Sequence, residues 1–290
     1  MQRSDKTTKK KKRKWIISLV LAGSLVAAAP VSNPALDQVR VHFIDVGQGD
    51  SIYIQLPDHK DVLIDAGDAD HGDDVVRYLQ VQGMDEELEL LIATHPHEDH
   101  IGGLPEVMAA FQVDKVIDSG LAVQSDCYEL FRQATVAEKC TWLADDHQAF
   151  DFGNTELHIL TGKETWSDVN DYSVVVRLDC GKVGFMFMGD AEKEAETCLP
   201  GELSAEILKV GHHGSDSSTS REFINRVKPQ VAVISVGDDN RYGHPETDIL
   251  DRLQTKGVKI YRTDLNGNIV IITDGSSYAI LTDENQHFSS

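Results

Sequence analysis

Residues 94–100 (THPHEDH) place three histidines, a glutamate and an aspartate in seven positions. On an extended strand end, residues two apart point the same way, so His95 and His97 can face one metal ion. The chain then turns, and Asp99 and His100 can face a second ion. Imidazole suits zinc, manganese or iron, and carboxylate oxygen is a hard ligand. The HxHxDH spacing therefore predicts a site for two metal ions.

Two later segments end in residues of the same chemical kinds. FMFMGD delivers Asp190, whose two carboxylate oxygens can bridge two ions, and KVGHHGS delivers His212 and His213. We expect one of the two histidines to bind metal and the other to lie close enough to meet the substrate. We favour His213 as the ligand, although the sequence leaves both assignments open.

The pattern of apolar residues predicts the elements that position these side chains. Val39, Val41 and Phe43 alternate on one face of a strand that opens an antiparallel meander, and ELELLIAT is a buried strand leading into the histidines. Further apolar strands alternate with helices, and strands buried on both sides need helical layers outside them. The predicted fold class is α/β, a four-layer αβ/βα sandwich over residues 39–283. Helices are predicted at 73–82, 105–111, 126–139, 191–198, 218–227 and 247–256.

The N-terminus is typical of an export signal. A basic stretch at residues 9–14 precedes an apolar or small-residue run at 15–29. Fifteen residues fall short of the about 20 that a membrane span needs, but suit a signal peptide. An uncleaved membrane anchor is the alternative. Residues 30–38 are predicted to be a linker and residues 284–290 a tail, so we expect an exported protein, extracellular or attached to the outer face of the membrane.

The charge is strongly negative, with 27 Lys and Arg against 48 Asp and Glu and a net charge of −21. The first 29 residues hold eight of the basic side chains and one acidic one, so the remainder is more acidic still. Such a body repels nucleic acid and anionic membrane at long range. A polyanionic substrate would have to be attracted locally, most simply by bound metal. No protein partner is evident.

Cys127, Cys140, Cys180 and Cys198 form an even set, which permits two disulfides in an exported chain. Chain order suggests Cys127–Cys140 and Cys180–Cys198, but three pairings are possible, and four buried free thiols are the alternative.

Taken together, six stretches resemble metallo-β-lactamase-fold hydrolases, and more narrowly the soluble hydrolase domain of ComEC/Rec2 competence proteins and its stand-alone relatives. The resemblance covers roughly residues 39–275. The stretches are FIDVGQGDS (43–51), LIDAGD (63–68), THPHEDHIGGL (94–104), FMFMGDAE (185–192), LKVGHHGS (208–215) and YGHP (242–245).

The resemblance implies two βα halves with metal ions at the sheet edges between them. It implies that His95 and His97 bind the first ion, Asp99 and His100 the second, and that Asp190 bridges them. The His212–His213 pair would serve the second ion and the scissile group. Asp65 corresponds to a supporting aspartate beside the ligands.

One departure concerns the first ion. Many members supply a further histidine between HxHxDH and GD, but only His147 and His158 lie there, in unmatched contexts. Asp171 is the candidate substitute, with a helix-capping or turn role as the alternative. An oxygen-rich first site would favour manganese over zinc. His244 in YGHP is a candidate for approaching the substrate or the metal edge, with an ordinary loop role as the alternative.

The predicted cofactors are two divalent ions, Zn²⁺ or Mn²⁺, which activate a water molecule for hydrolysis. Asp99 and Asp190 are the predicted catalytic carboxylates, and a protonated His212 or His244 would assist the leaving group. The favoured substrate is a phosphodiester, in DNA or a smaller molecule. A cell-envelope phosphorylcholine esterase is the close competitor, a β-lactamase or lactonase fits less well, and a non-catalytic metal-stabilised binding module is the rival from another class.

Overall fold

The computed structural model describes residues 38–143, 148–160, 165–238 and 240–283. The predicted export segment, all of the predicted linker except residue 38, and the predicted tail lie outside these residues. Among the described residues, no helix is long and apolar enough to cross a membrane. The predicted domain boundaries stay predictions.

Fifteen strands in the described residues form two sheets. The first sheet has the order β15-β14-β1-β2-β3-β4-β5-β6. Its strands are β1 (Val39–Phe43), β2 (Ser51–Leu56), β3 (Lys60–Ala66), β4 (Glu87–Ala93), β5 (Gln112–Asp118), β6 (Thr141–Leu143), β14 (Ile269–Thr273) and β15 (Tyr278–Thr282). The second sheet has the order β13-β12-β11-β10-β9-β8-β7. Its strands are β7 (Ala149–Asp151), β8 (Thr155–Ile159), β9 (Val176–Cys180), β10 (Val183–Phe187), β11 (Ile207–Lys209), β12 (Val231–Ile234) and β13 (Lys259–Arg262).

Helices connect the strands. They are α1 (Gly72–Val81), α2 (Glu98–Ile101), α3 (Leu104–Ala110), α4 (Asp126–Glu138), α5 (Lys193–Cys198), α6 (Arg221–Val227), α7 (Thr247–Thr255) and α8 (Thr263–Asn266). Three 3₁₀ turns lie at Pro57–His59, Asn170–Tyr172 and Gly211–Gly214. The one-turn helices α2 and α8 were not predicted, because four residues are too few to show a helical period.

The packing confirms the predicted four-layer sandwich. One buried apolar cluster joins the facing sides of the two sheets and includes Val41 and Phe43 from the first and Phe185 and Val233 from the second. A second cluster packs α1, α3 and α4 on the outer side of the first sheet. Two more pack α5, α6 and α7 on the outer side of the second sheet. Strands covered on both faces carry near-continuous apolar sequence, as these do.

The parallel parts of the two sheets determine where polar side chains gather. Strands β3, β4 and β5 run parallel in the first sheet, and β10 to β13 run parallel in the second. The carboxyl ends of parallel strands lie at one edge of a sheet, where ligand sites form in α/β folds. The predicted histidines follow β4, Asp190 follows β10, and the His212–His213 pair follows β11.

The cysteines do not form the disulfides suggested by chain order, since all four are free thiols in the structure. Cys180 is buried in the cluster between the sheets, whereas Cys198 is exposed at the end of α5. Cys127 and Cys140 pack partly buried against the cluster under α4. Their positions follow from packing and not from pairing.

Candidate metal centre

The first part of the site is the turn that joins β4 to α2. His95 is buried directly after the strand, and His97 is the residue that precedes α2. The Nε2 atom of His95 lies 2.9 Å from Nδ1 of His97, so the two rings meet as the alternation predicts. Asp99 and His100 then fall in the single turn of α2, where His100 is buried. The end of β4 and the start of α2 therefore point the four side chains in two different directions.

Asp190 lies where the two sheets bring their histidines together. Its Oδ1 is 3.2 Å from Nε2 of His100, and its Oδ2 is 3.5 Å from Nε2 of His213. The same Oδ2 is 3.8 Å from Nε2 of both His95 and His212. One buried carboxylate therefore faces four imidazoles, a geometry that lets its two oxygens serve two different ions.

Unpaired atoms test whether these residues fit a metal ion. Nε2 of His100, Nε2 of His213 and Oδ1 of Asp190 are buried and form no hydrogen bond. Such atoms are rare in folded proteins, and each requires an explanation. Two groups of ligand atoms within 4.8 Å of one another contain them: His95, His100 and Asp190, and Asp99, His100 and His213. Imidazole nitrogen with carboxylate oxygen is a donor set for a divalent transition-metal ion, so the residues fit one.

Asp65 holds His100 in place from behind. Its Oδ2 accepts from Nδ1 of His100 at 2.7 Å and from the Thr94 hydroxyl at 2.6 Å, and its Oδ1 accepts from the Thr94 backbone N–H at 2.8 Å. Asp65 has a φ of 57°, which is uncommon for a residue other than glycine. A carboxylate that takes one ring N–H of a histidine turns the other nitrogen toward the metal position. The role inferred from the resemblance matches this contact.

A buried ion pair that the sequence analysis did not predict lies beneath the site. Lys209, in β11, is fully buried, and its ammonium contacts the Asp50 carboxylate and donates to the Gly189 carbonyl at 3.0 Å. Oδ1 of Asp50 lies 3.5 Å from Nδ1 of His213. A buried charge needs a partner of opposite sign. The pair thus joins the loop after β1 to the Gly189–Asp190 turn, and a lysine inside the apolar strand EILKVG was the signal for it.

The pKa values of the buried histidines at this site shift in different directions. Burial would lower the pKa of His100, but the Asp190 and Asp65 carboxylates raise it well above its usual value. Burial is likewise overcome at His213, where Asp190 raises the pKa to about 10. The pKa of His95 is well below its usual value because of burial and the neighbouring His100. The carboxylates therefore favour positive charge at His100 and His213.

His212 and His213 diverge because both adopt left-handed backbone conformations, with φ of 47° and 52°. Strain of this kind clusters at functional sites. Nδ1 of His213 donates to the Ser235 carbonyl at 2.9 Å and directs its Nε2 into the cluster. Nδ1 of His212 donates to Oε1 of Glu192 at 2.9 Å, and that oxygen also accepts from the Ser217 hydroxyl at 2.6 Å. His213 thus lies in one of the two ligand groups and His212 at the cavity, while their roles as ligand and substrate contact stay predictions.

A cavity of about 320 Å³ opens beside the cluster. His212 is partly exposed there, and Nδ1 of His244 is buried without a hydrogen bond. The ring of His244 lies 5.5 Å from that of His212 and 5.7 Å from that of Tyr242. The cavity is lined by Gln48, His97, Glu98, Asp99, Asp190, His212, His213, Tyr242 and His244.

Asp171 lies outside both ligand groups. Its Oδ1 accepts from the backbone N–H groups of Glu192 at 2.9 Å and Ala195 at 3.3 Å, so it caps the start of α5. The structure thus gives Asp171 the capping role named as the alternative, and its ligand role stays a prediction. His158 pairs with Glu156 and Asp179 on the second sheet, and His147 lies outside the described residues.

Comparisons with known proteins agree with this geometry. Residues 44–238 match the metallo-beta-lactamase superfamily. ComE operon protein 3 of Bacillus subtilis is 31% identical over 253 residues, which are 79% of this chain and 32% of that protein. Competence protein ComA of Neisseria gonorrhoeae is 30% identical over 88% of this chain and 35% of its own length. This chain thus spans about a third of the length of these relatives. The crystal structure of the metallo-beta-lactamase fold protein YhfI from Bacillus subtilis has a TM-score of 0.56 at 13% identity, over 81% of this chain and 100% of that one.

Proposed function

This chain belongs to the metallo-beta-lactamase superfamily, and we propose that it is a metal-dependent hydrolase of phosphodiester bonds. The observation that carries the proposal is the position of His212, which is fixed by Glu192 on one side and directs Nε2 toward Asp190 and the open cavity on the other. Similarity to competence proteins over most of the chain supports a phosphodiester as the bond that is cut.

We propose that two divalent ions, Zn²⁺ or Mn²⁺, bind at this centre. His95 and His97 would hold the first, Asp99, His100 and His213 the second, and Asp190 would contact both. When bound, the ions supply Lewis acidity and lower the pKa of water. Asp65 and Ser235 keep the rings of His100 and His213 oriented through their Nδ1 atoms. Asp190 would orient the attacking water through its remaining lone pairs.

We assign the proton for the leaving oxygen to Nε2 of His212. Glu192 accepts from the opposite ring nitrogen and fixes the orientation of the ring. Burial and the nearby His212 lower the pKa of His244, so less of its ring is protonated near pH 7. We therefore propose that His244 contacts the substrate as a neutral ring at the wall of the cavity.

The proposal extends to where the protein acts. The basic and apolar segments at residues 9–29 support export, with the protein outside the cell or anchored to the outer face of the membrane. The substrate would be DNA or a smaller phosphodiester. Because the net charge of −21 repels polyanions at long range, metal ions in the cavity would supply the local attraction.

The deciding experiment uses the purified full-length chain, reconstituted with Mn²⁺ or Zn²⁺. It is incubated with single-stranded DNA, double-stranded DNA, bis(p-nitrophenyl) phosphate and p-nitrophenyl phosphorylcholine. Two variants are assayed in parallel: Asp99→Ala, and the control Asp251→Ala at an exposed position in α7. We expect cleavage of DNA and the small diester that is lost only in Asp99→Ala. Cleavage of the choline ester alone would favour an envelope esterase. Metal uptake without any cleavage would favour a binding module.

A further inference from the structure

A second cavity adjoins the metal cavity and shares a wall with it. This cavity of about 400 Å³ has Gln48, Glu98, Asp99 and Tyr242 in common with the first. A substrate whose scissile group lies beside Asp190 would extend its neighbouring group into this space. We call it the rim cavity.

Tyr242 is the aromatic side chain between the two cavities. It is 52% exposed, although its ring lies nearly parallel to that of His244, at 22° and a centroid distance of 5.7 Å. The Arg241 guanidinium lies 5.1 Å from the centre of the Tyr242 ring and donates to its hydroxyl at 3.0 Å. Proteins stack single-stranded bases on exposed aromatic rings, and a nearby arginine adds a cation–π contribution.

The loop that presents Tyr242 is held by one amide side chain. Oδ1 of Asn240 accepts from the His244 backbone N–H at 3.0 Å, and its Nδ2 donates to the carbonyls of Gly237 at 2.7 Å and His244 at 2.8 Å. Asn240 and His244, on either side of Tyr242, are thereby held to each other and to Gly237. A ring held in this way loses little conformational freedom when a ligand stacks on it.

The charges around the rim cavity favour an uncharged group inside it. Glu98 and Asp68 line it and oppose a second phosphate, although Asp68 is paired with His71 at 2.6 Å. Arg241 is the only Lys or Arg among the lining residues and opposes a quaternary ammonium group on the Tyr242 ring. A flat, uncharged aromatic ring satisfies both limits.

Resting on the proposed phosphodiesterase activity, we propose that the rim cavity binds an unpaired nucleobase stacked on Tyr242, with the Arg241 guanidinium adding a cation–π contact. A base inside a duplex has both faces covered by its neighbours, so the substrate class is a single strand, an unpaired end or a short oligonucleotide. Tyr242 would act in substrate binding and would leave the chemical step to the metal centre.

The experiment compares two tetramers with the same phosphates, (dT)4 and the same backbone with abasic residues at every position. The full-length holoenzyme is assayed on both, with bis(p-nitrophenyl) phosphate as the reference substrate, beside Tyr242→Ala and Tyr242→Phe. We expect a KM for (dT)4 about tenfold below that for the abasic tetramer, the size of one base–aromatic stack. Tyr242→Ala should abolish this difference between the two KM values, and Tyr242→Phe, which keeps the ring, should preserve it.

The outcomes separate the two proposals. Equal KM values for both tetramers in the unsubstituted enzyme, or a base preference that survives in Tyr242→Ala, would overturn the base subsite and leave the phosphodiesterase standing. Failure to cut either tetramer and the reference diester would overturn the activity itself.

Discussion

His42 and His100 are both buried histidines of the first half of the chain, yet their surroundings differ. Nδ1 of His42 accepts from the Tyr78 hydroxyl at 3.0 Å, and its Nε2 donates to Oε1 of Gln55 at 3.1 Å. His100 donates from Nδ1 to Asp65, but its Nε2 has no hydrogen bond and faces Asp190 at 3.2 Å. Burial alone therefore does not mark a ligand. A candidate metal ligand is instead indicated by a buried ring nitrogen that has no hydrogen bond and faces a carboxylate.

The two histidines also differ in charge. Burial lowers the pKa of His42 to about 4, so its ring is neutral at pH 7. At His100 the carboxylates of Asp190 and Asp65 overcome burial and raise the pKa well above its usual value. One ring fills a packed core, and the other lies between two carboxylates that favour positive charge. The first stabilises the fold, and the second is available for exchange of its proton for a metal ion.

Asp190→Asn should give the largest effect, because that side chain faces all four imidazoles of the cluster. We expect loss of at least one bound ion and a fall in hydrolysis of about a thousandfold, since the charge stabilisation by the ions would be lost. Metal content by mass spectrometry and initial rates measure both quantities, with Asp251→Asn as the control. Full metal content in Asp190→Asn would remove Asp190 from the centre.

His42→Gln tests the other side of the comparison. A pKa lowered on folding means that the unfolded chain takes up the proton first, so stability is lost as pH falls from about 6.5 to 4. The loss attributable to His42 is about 3 kcal/mol over that range. Urea unfolding at pH 7 and pH 4.5 should show a smaller decrease in the variant, with metal content unchanged. An identical pH dependence in both proteins would contradict the assignment.

Asp65→Asn should lower metal affinity about 10- to 100-fold, because the amide holds the His100 ring less firmly and does not raise its basicity. Competition with a chromophoric chelator measures the affinity. Asp61→Asn is the matched control, since Asp61 is also buried but accepts from the Tyr53 hydroxyl at 2.6 Å, outside the ligand groups. Equal losses in the two variants would mean that the effect comes from burial and not from contact with His100.

Glu192→Gln should give the smallest effect, and one that depends on the substrate. Removing the carboxylate beside His212 should lower kcat on DNA about tenfold, because an alkoxide leaving group needs a proton. p-Nitrophenolate leaves without one, so kcat on bis(p-nitrophenyl) phosphate should be nearly unchanged. A uniform fall on both substrates would indicate a structural role for Glu192.

Local spacing predicted the parts of the site that lie within one turn of chain. Two-residue alternation after β4 was enough to predict that His95 and His97 face the same way, and apolar runs were enough to predict which segments form strands. Glu192 and Lys209 were not predicted because their partners, His212 and Asp50, are distant in sequence and approach only when the chain folds. Asp171 was chosen because a histidine was missing, and sequence did not reveal the backbone N–H groups that occupy its carboxylate.

The pairing of β1 with β14 has a consequence for biosynthesis. Val39 lies opposite Thr273, so one long edge of the first strand is covered by residues made more than two hundred positions later. The segment that matches the superfamily ends at residue 238, before β14 begins. A nascent or truncated chain that stops there would leave β1 as an open edge, a known route to aggregation. We therefore expect a chain without residues 269–273 to aggregate, although these residues lie outside the metal centre.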